Sequence, residues 1–313
     1  MICSSIDLGT NTCLLLIAEL DGKTFKIKNV ILDVQTVVRL GQGVDQNQSF
    51  CQEAMDRTLN CLQNYKNIIN DNNIKTEDSI CIATSQARDS KNGLEFFKQV
   101  QKETGLKFSI LTGDQEAKYS FLGAVDESLG LENPVVIDIG GGSTEYITSP
   151  TVGKSLDIGS VRFTERYLKS DPATEQEFLN CQNALDVGIK SLNFIKEDFS
   201  AETHLIGVAG TVTTIASWAL GLKSFDPQKI HGFLLTQEKV FECVSVLKSM
   251  TVEQRRNLVG IEPMRADVLL AGAMVLWRSM VLLGFNQCAV STRGLRYGVL
   301  DRAFLRDNAS SGF

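Results

Sequence analysis

Two stretches of this sequence place an aspartate at the end of an apolar run with glycine and hydroxyl residues directly behind it. They are Ile6 to Thr12 (IDLGTNT) and Ile137 to Ser143 (IDIGGGS), and they superpose without a gap. Glycine lacks a Cβ and reaches positive φ readily, so the N–H groups of such a turn can point together into an anion-holding concavity. Phosphate is the natural guest. An ordinary tight turn is the better explanation of a single glycine pair, but Gly140, Gly141 and Gly142 beside Asp138, repeated in weaker form by Gly9, Thr10, Asn11 and Thr12 beside Asp7, favour the anion. A third stretch, His204 to Ala216 (HLIGVAGTVTTIA), passes through Gly207 and Gly210 into a helix expected to begin at Thr211 or Val212. Backbone N–H groups and the positive dipole end at that start make another anion site, with Thr211 acting only as a helix cap as the equal alternative.

The elements that position these turns are legible in the periodicity. Ser4 to Leu8, Cys13 to Leu20 and Phe25 to Leu40 read as strands, followed by a helix from Gln52 to Asn73, a strand Ser79 to Ala83, a helix Leu94 to Glu103, a strand Lys107 to Leu111 and a helix from about Gln115 to Leu129. From Pro134 the order restarts: strands Val135 to Ile139, Glu145 to Thr148 and Val152 to Ile158, a helix Glu175 to Phe199, a strand His204 to Val208 and a helix Val212 to Leu220. Helices Gln237 to Met250 and Ala266 to Leu283, a strand Asn286 to Val290 and a terminal helix from about Leu295 to Leu305 complete it. The repeated order predicts a duplicated chain. Because a strand, EYIT, follows the three glycines, the turn is a hairpin and a dinucleotide-binding GxGxxG is disfavoured; no GxxxxGK[ST] is present either.

With 313 residues, 43% hydrophobic and 22% charged, the composition is that of a globular protein long enough for two domains. A formal charge of −6 argues against nonspecific nucleic-acid binding, though not against a locally positive anion site. No apolar run reaches the roughly 18 residues of a membrane span, and the N-terminus does not read as a signal peptide. Eight singly scattered cysteines, never in CxxC, predict reduced, buried thiols and a cytoplasmic location. With only His204 and His231, a histidine-rich metal centre is not expected.

In this order and spacing, IDLGTNT, VIDIGGGSTE and GVAGTVTTIA resemble the exopolyphosphatase/guanosine pentaphosphate phosphohydrolase family of the actin, chaperone-ATPase and sugar-kinase superfamily. ATSQARD (Ala83 to Asp89), LTGDQEA (Leu111 to Ala117), GSVRFTERYL (Gly159 to Leu168), HGFLLT (His231 to Thr236) and STRGLRYGVL (Ser291 to Leu300) extend the resemblance over essentially the whole chain. The sequence departs from the family pattern at Gln115-Glu116, where two glutamates are usual, and at Ser85-Gln86-Ala87-Arg88, where Ser-Ala-Leu-Arg is usual. It resembles the short form, without the C-terminal helical extension of larger members.

The resemblance implies an α/β protein of two ribonuclease-H-like, actin-like domains around a central cleft. The first would span residues 1–122 plus about 294–313, its terminal helix returning, and the second 123–293. The implied reaction is hydrolytic release of terminal orthophosphate from linear polyphosphate, with guanosine pentaphosphate as the alternative substrate. An ATP-dependent kinase or ATPase and a non-catalytic phosphate-ligand sensor stand behind these. Glu116 is the implied general base, and Arg88 the catalytic guanidinium that forks onto phosphate oxygens. Phosphate binding falls to Asp7, Gly9, Thr10, Asn11, Thr12, Gly140, Gly141, Gly142, Ser143, Thr144, Gly210 and Thr211. Asp138 and Glu145, seven apart across the hairpin, would hold Mg²⁺, with a monovalent cation such as K⁺ a second candidate. The partners expected are the phosphate substrate and a homodimer, with neither nucleic acid nor membrane.

Overall fold

The computed structural model describes residues 1–192, 199–200 and 202–300. The chain divides into two compact units, one of Met1–Gly123 with the chain from Gly294 onward, the other Ala124–Arg293. The first unit begins with β1 (Ile2–Leu8), β2 (Thr12–Leu20) and β3 (Ile27–Val37), a meander of antiparallel neighbours. Helices α1 (Val44–Asn47) and α2 (Gln52–Asp71) lead to β4 (Ile80–Ala83), α3 (Ser85–Asp89), α4 (Gly93–Thr104), β5 (Phe108–Ile110) and α5 (Gly113–Ala124). The strand order is β3-β2-β1-β4-β5, with β1, β4 and β5 parallel. Alternation along β2 sends Cys13, Leu15 and Ile17 into one core and Leu16, Ala18 and Leu20 into another on the opposite face. Helix α2 buries Ala54, Thr58, Cys61, Leu62, Tyr65 and Ile69, a single stripe at three- and four-residue steps.

The second unit comprises β6 (Pro134–Ile139), β7 (Thr144–Ser149), β8 (Val152–Leu156), α6 (Ser160–Tyr167), α7 (Glu175–Lys190), β9 (His204–Val208) and α8 (Ala209–Ala219). It continues through α9 (Pro227–Ile230), β10 (Leu234–Thr236), α10 (Gln237–Lys248), α11 (Val252–Arg256), α12 (Leu269–Leu283) and β11 (Gln287–Val290). Its sheet, read from the other edge, runs β8-β7-β6-β9-β11, which repeats the order and strand directions of the first unit; β10 is an antiparallel addition to β11. Two ribonuclease-H-like α/β sheets are therefore duplicated in one chain. Helix α12 is buried at every position from Leu269 to Leu276, as expected of a helix wrapped by core on all sides.

Helix α13 (Leu295–Gly298) belongs to the first unit. Two glycines let it approach α5: a Cβ on Gly298 would fall on the Tyr119 carbonyl, and one on Gly123 on the Gly294 carbonyl. Arg296 then clamps the edge strand, donating from Nε and Nη2 to the two oxygens of Asp33 at 2.8 Å each, while the Tyr297 hydroxyl donates to the same carboxylate at 2.7 Å.

Three helix boundaries are described differently from expectation. The helix expected from Val212 starts at Ala209, and that expected to run from Glu175 to Phe199 is described as far as Lys190, with residues 193–198 outside the described ones. The terminal helix is described over Leu295–Gly298, and residues 301–313 lie outside. The cysteines carry no disulfide, but Cys51 is exposed rather than buried because it is the residue preceding α2. Burial pushes the thiols of Cys181, Cys243 and Cys288 up to about 12, so these remain neutral. Among the described residues no helix is long and apolar enough to cross a membrane.

Candidate functional site

The two glycine turns are built alike. Leu8 pairs with Cys13 and Ile139 with Thr144, and each turn closes with one hydrogen bond, Gly9 N–H to the Thr12 carbonyl at 2.9 Å and Gly140 N–H to the Ser143 carbonyl at 3.0 Å. The chain beyond the third strand then takes up the turn carbonyls. Thr10 O accepts from Gly41 N at 2.8 Å, and Asn11 O from Val38 N and Arg39 N at 3.0 and 2.9 Å. In the second unit Gly140 O accepts from Ser160 N at 3.0 Å, Gly141 O from Val161 N and Arg162 N at 2.9 and 3.1 Å, and Gly142 O from the Arg162 Nε at 2.7 Å. Among the described residues, the N–H groups of Thr10, Asn11, Gly141 and Gly142 donate to no protein acceptor. With carbonyls tied down and amides left over, each turn has the polarity of an anion nest.

One expectation about these turns is corrected. None of Gly9, Gly140, Gly141 and Gly142 lies in the positive-φ region. What the second turn needs is room: a Cβ on Gly140 would come within 3.1 Å of the Ser143 carbonyl oxygen, and one on Gly159 within 2.3 Å of the Gly141 carbonyl oxygen. The hydroxyls of Thr10 and Thr144 both have protein acceptors. Thr10 Oγ1 donates to Gln86 Oε1 at 3.1 Å, and Thr144 Oγ1 to the Ile158 carbonyl. The Arg162 guanidinium holds the turn itself.

The carboxylates sit asymmetrically. Asp138 lies directly opposite Glu145 across the β6–β7 hairpin, whereas the equivalent partner of Asp7 is Leu14. Directly opposed side chains share a face with Cβ atoms roughly 4.5–5.5 Å apart, so Asp138 and Glu145 bring two negative charges together. Glu145 is 1% exposed, and the Ser155 hydroxyl donates to its Oε1 at 2.7 Å. Two adjacent oxygen-donor carboxylates, one of them buried, fit a hard cation that keeps water and substrate oxygens as its other ligands. No group of three or more His, Cys, Asp or Glu side chains suited to a metal occurs among the described residues.

Asp138 also pairs with Val208 on the parallel neighbour β9, which sets the start of α8 beside the hairpin. Val208, not Thr211, is the N-cap, and no side chain caps this helix. The alternative in which Thr211 acts only as the cap is thus set aside; its side chain instead fills the space over Gly272 of α12, where an added Cβ would meet Thr211 Oγ1 at 2.7 Å. Gly210 is bare because the guanidinium of buried Arg265 lies against it, Nη1 standing 2.0 Å from where a Cβ would be, while the Arg265 Nε donates to Glu262 Oε2 at 2.8 Å.

In the first unit, parallel pairing aligns the ends of β1, β4 and β5: Leu8 is level with Ala83, and Ala83 with Ile110. The Gly9 turn, α3 and α5 therefore leave the sheet at one edge, the carboxyl end where ligands of α/β sheets bind. Helix α5 is capped by Thr112 and Gln115, whose side chains reciprocate at 3.2 and 2.9 Å. Capping is thus done by Gln115, and Glu116, 7% exposed, has another partner: the Arg88 Nη1 donates to its Oε2 at 2.8 Å and to the Leu111 carbonyl at 2.7 Å. Nε and Nη2 of Arg88 donate to no protein acceptor among the described residues.

The structure thus gathers Asp7, Gly9 to Thr12, Arg88 and Glu116 along one edge of the first unit, and Asp138, Gly140 to Glu145, Gly210 and Thr211 along one edge of the second. Sequence reasoning missed Gln86, Ser155, Gly159 and the contact of Arg265 with Gly210. For Gly159 the signal was present in GSVRF, a glycine directly before a helix; the others depend on contacts remote in sequence.

A model of the Ppx/GppA phosphatase family matches residues 16–307. The bifunctional 3-dehydroquinate synthase/phosphatase of Fusobacterium nucleatum is 36% identical over 92% of this chain, which spans 44% of that protein's length. Exopolyphosphatase 2 of Mycobacterium tuberculosis is 34% identical, with 95% of this chain and 96% of that protein covered. The crystal structure of the Aquifex aeolicus member of the Ppx/GppA family superposes with a TM-score of 0.78 at 31% identity, covering 98% of this chain and 99% of that one.

Proposed function

Because the chain belongs to the Ppx/GppA phosphatase family, we propose that it is a phosphoanhydride hydrolase that releases terminal orthophosphate from linear polyphosphate. The observation that carries the reading is Glu116, buried and ion-paired to Arg88, on the sheet edge that also bears the amide turn Gly9 to Thr12. Phosphoryl transfer to water asks little covalent chemistry of a protein beyond holding the phosphate, neutralising charge and aiming the water. In this reading the main-chain amides of Thr10 and Asn11 bind phosphoryl oxygens and the remaining N–H groups of Arg88 join them, while those of Gly141 and Gly142 give the second unit an anion site of its own. Glu116, ion-paired to Arg88, accepts a proton as the water oxygen bonds to the terminal phosphorus and the bridging P–O bond breaks. Asp138 and Glu145 are the residues that would hold Mg²⁺, which when bound supplies charge neutralisation to the phosphates. Thiols outside any disulfide support a cytoplasmic setting.

Orthophosphate release from polyphosphate, guanosine pentaphosphate and ATP, each with Mg²⁺, tests the reading. Release from polyphosphate is expected; release from guanosine pentaphosphate alone would move the assignment to that substrate, and from ATP alone would overturn it.

A further inference from the structure

We propose that Gln86 is a positioning residue that fixes the Gly9–Thr12 turn and ties it to the helix carrying Arg88. The inference rests on the proposed hydrolytic reading of this site. Gln86, Ser85 and Thr10 are buried, 2%, 4% and 6% exposed. The Gln86 Nε2 donates to the Leu8 carbonyl at 2.8 Å. A carbonyl only accepts, so the amide is oriented and its Oε1 must face Thr10. Thr10 has one hydroxyl proton, and Oε1 takes it at 3.1 Å; Ser85 Oγ, 3.2 Å from the same hydroxyl, is then the donor toward Thr10. The result is a directed chain from Ser85 through Thr10 and Gln86 to the end of β1.

The remaining faces of Thr10 are also held. Its methyl packs where a Cβ on Gly41 would be, 2.3 Å from that position, and its carbonyl accepts from Gly41 N at 2.8 Å. With side chain and carbonyl fixed, the Asn11 N–H, which shares the peptide plane of the Thr10 carbonyl, keeps one direction, which is what an anion nest requires. Helix α3 carries both Gln86 and Arg88, and Arg88 binds Glu116. Helix α3 is thereby a bracket: Gln86 fastens it to the amide turn and Arg88 fastens it to the carboxylate.

The test is a variant cycle read as affinity for inorganic tripolyphosphate by calorimetry in a Glu116→Gln background, with kcat and KM for polyphosphate taken in the unmodified background. Gln86→Met fills the volume without the hydrogen bonds, and Gln86→Ala is the second variant; melting of each is recorded. Gln86→Met is expected to weaken tripolyphosphate binding about fivefold to tenfold and to raise KM in proportion while kcat stays within about twofold. Thr10→Val acts through the same chain, so the double variant is expected to lose no more than the worse single variant, within about twofold. Effects that multiply, or an affinity within about twofold of the parent in the folded Gln86 variants, would overturn the proposal. Tripolyphosphate binding without polyphosphate turnover by the unmodified chain would sink only the hydrolytic reading, leaving the cycle to decide on Gln86; no binding at all would sink both.

Discussion

Gly159→Ala perturbs the second glycine turn without replacing any residue assigned to the chemistry. The added Cβ would lie 2.3 Å from the Gly141 carbonyl oxygen and 2.4 Å from the carbonyl carbons of Gly141 and Gly142, all of them main-chain atoms that no rotamer change can move aside. Restoring ordinary contact requires the turn, or the start of α6, to shift by about 1 Å; a misplacement of that size can cost on the order of 100-fold in rate. Overpacking of this kind costs about 1–3 kcal/mol, and in a unit of this size each kcal/mol lowers the melting temperature by about 2–4 °C. The expected result is a tenfold to hundredfold fall in kcat/KM for polyphosphate, roughly within that bound, with a melting temperature lower by several degrees. Initial rates of phosphate release and calorimetry measure both. Gly22→Ala, with nothing within 4 Å of the new methyl, is the control and should change neither. A Gly159→Ala protein with kcat/KM within about twofold of the parent and unaltered melting would refute the claim that bare backbone against bare backbone shapes the phosphate turn.

Other outcomes follow from the carboxylates and the one half-buried histidine. Asp138→Asn removes one of two proposed cation ligands and should raise the Mg²⁺ concentration for half-maximal rate by about tenfold or more, while Ser155→Ala, which only loses the donor to Glu145, should raise it by less; the two curves coinciding with the parent would contradict the cation assignment. His231 is held below its ordinary range, chiefly by burial and also by the charge of Arg293, with Asp126 opposing. The unfolded chain therefore takes up a proton near pH 6.5 that the folded one does not, so stability falls as pH drops through that value toward the lower folded one. Melting temperature should fall from pH 7.5 to 5.5, and His231→Gln should flatten that fall; parallel curves would show that His231 is not responsible.

The duplicated motif made much of the fold legible, since IDLGTNT and IDIGGGS each open a series of strands and helices with the same order and both turns close with the same hydrogen bond. The residues that hold the turns were less visible. Arg162 lies 20 residues from Gly142 and Gln86 lies 76 from Thr10, and periodicity carries no information about which hydroxyl finds which amide at such separations. Arg88 and Glu116, 28 apart, meet because β4 and β5 run parallel, a register set by the whole sheet rather than by either segment. Helix α3, only 5 residues long, falls below the length at which an apolar stripe can be recognised. Room rather than φ explains Gly140, Gly159 and Gly210, and room is a property of neighbours such as the Gly141 carbonyl and Arg265.

The most direct test of the account is single-turnover phosphate release from polyphosphate by Glu116→Gln, with polyphosphate affinity measured on the same protein. Amide turns that bind and a carboxylate that primes water predict affinity within a few-fold of the parent and a rate lower by roughly two orders of magnitude or more. A rate near that of the parent would contradict the account.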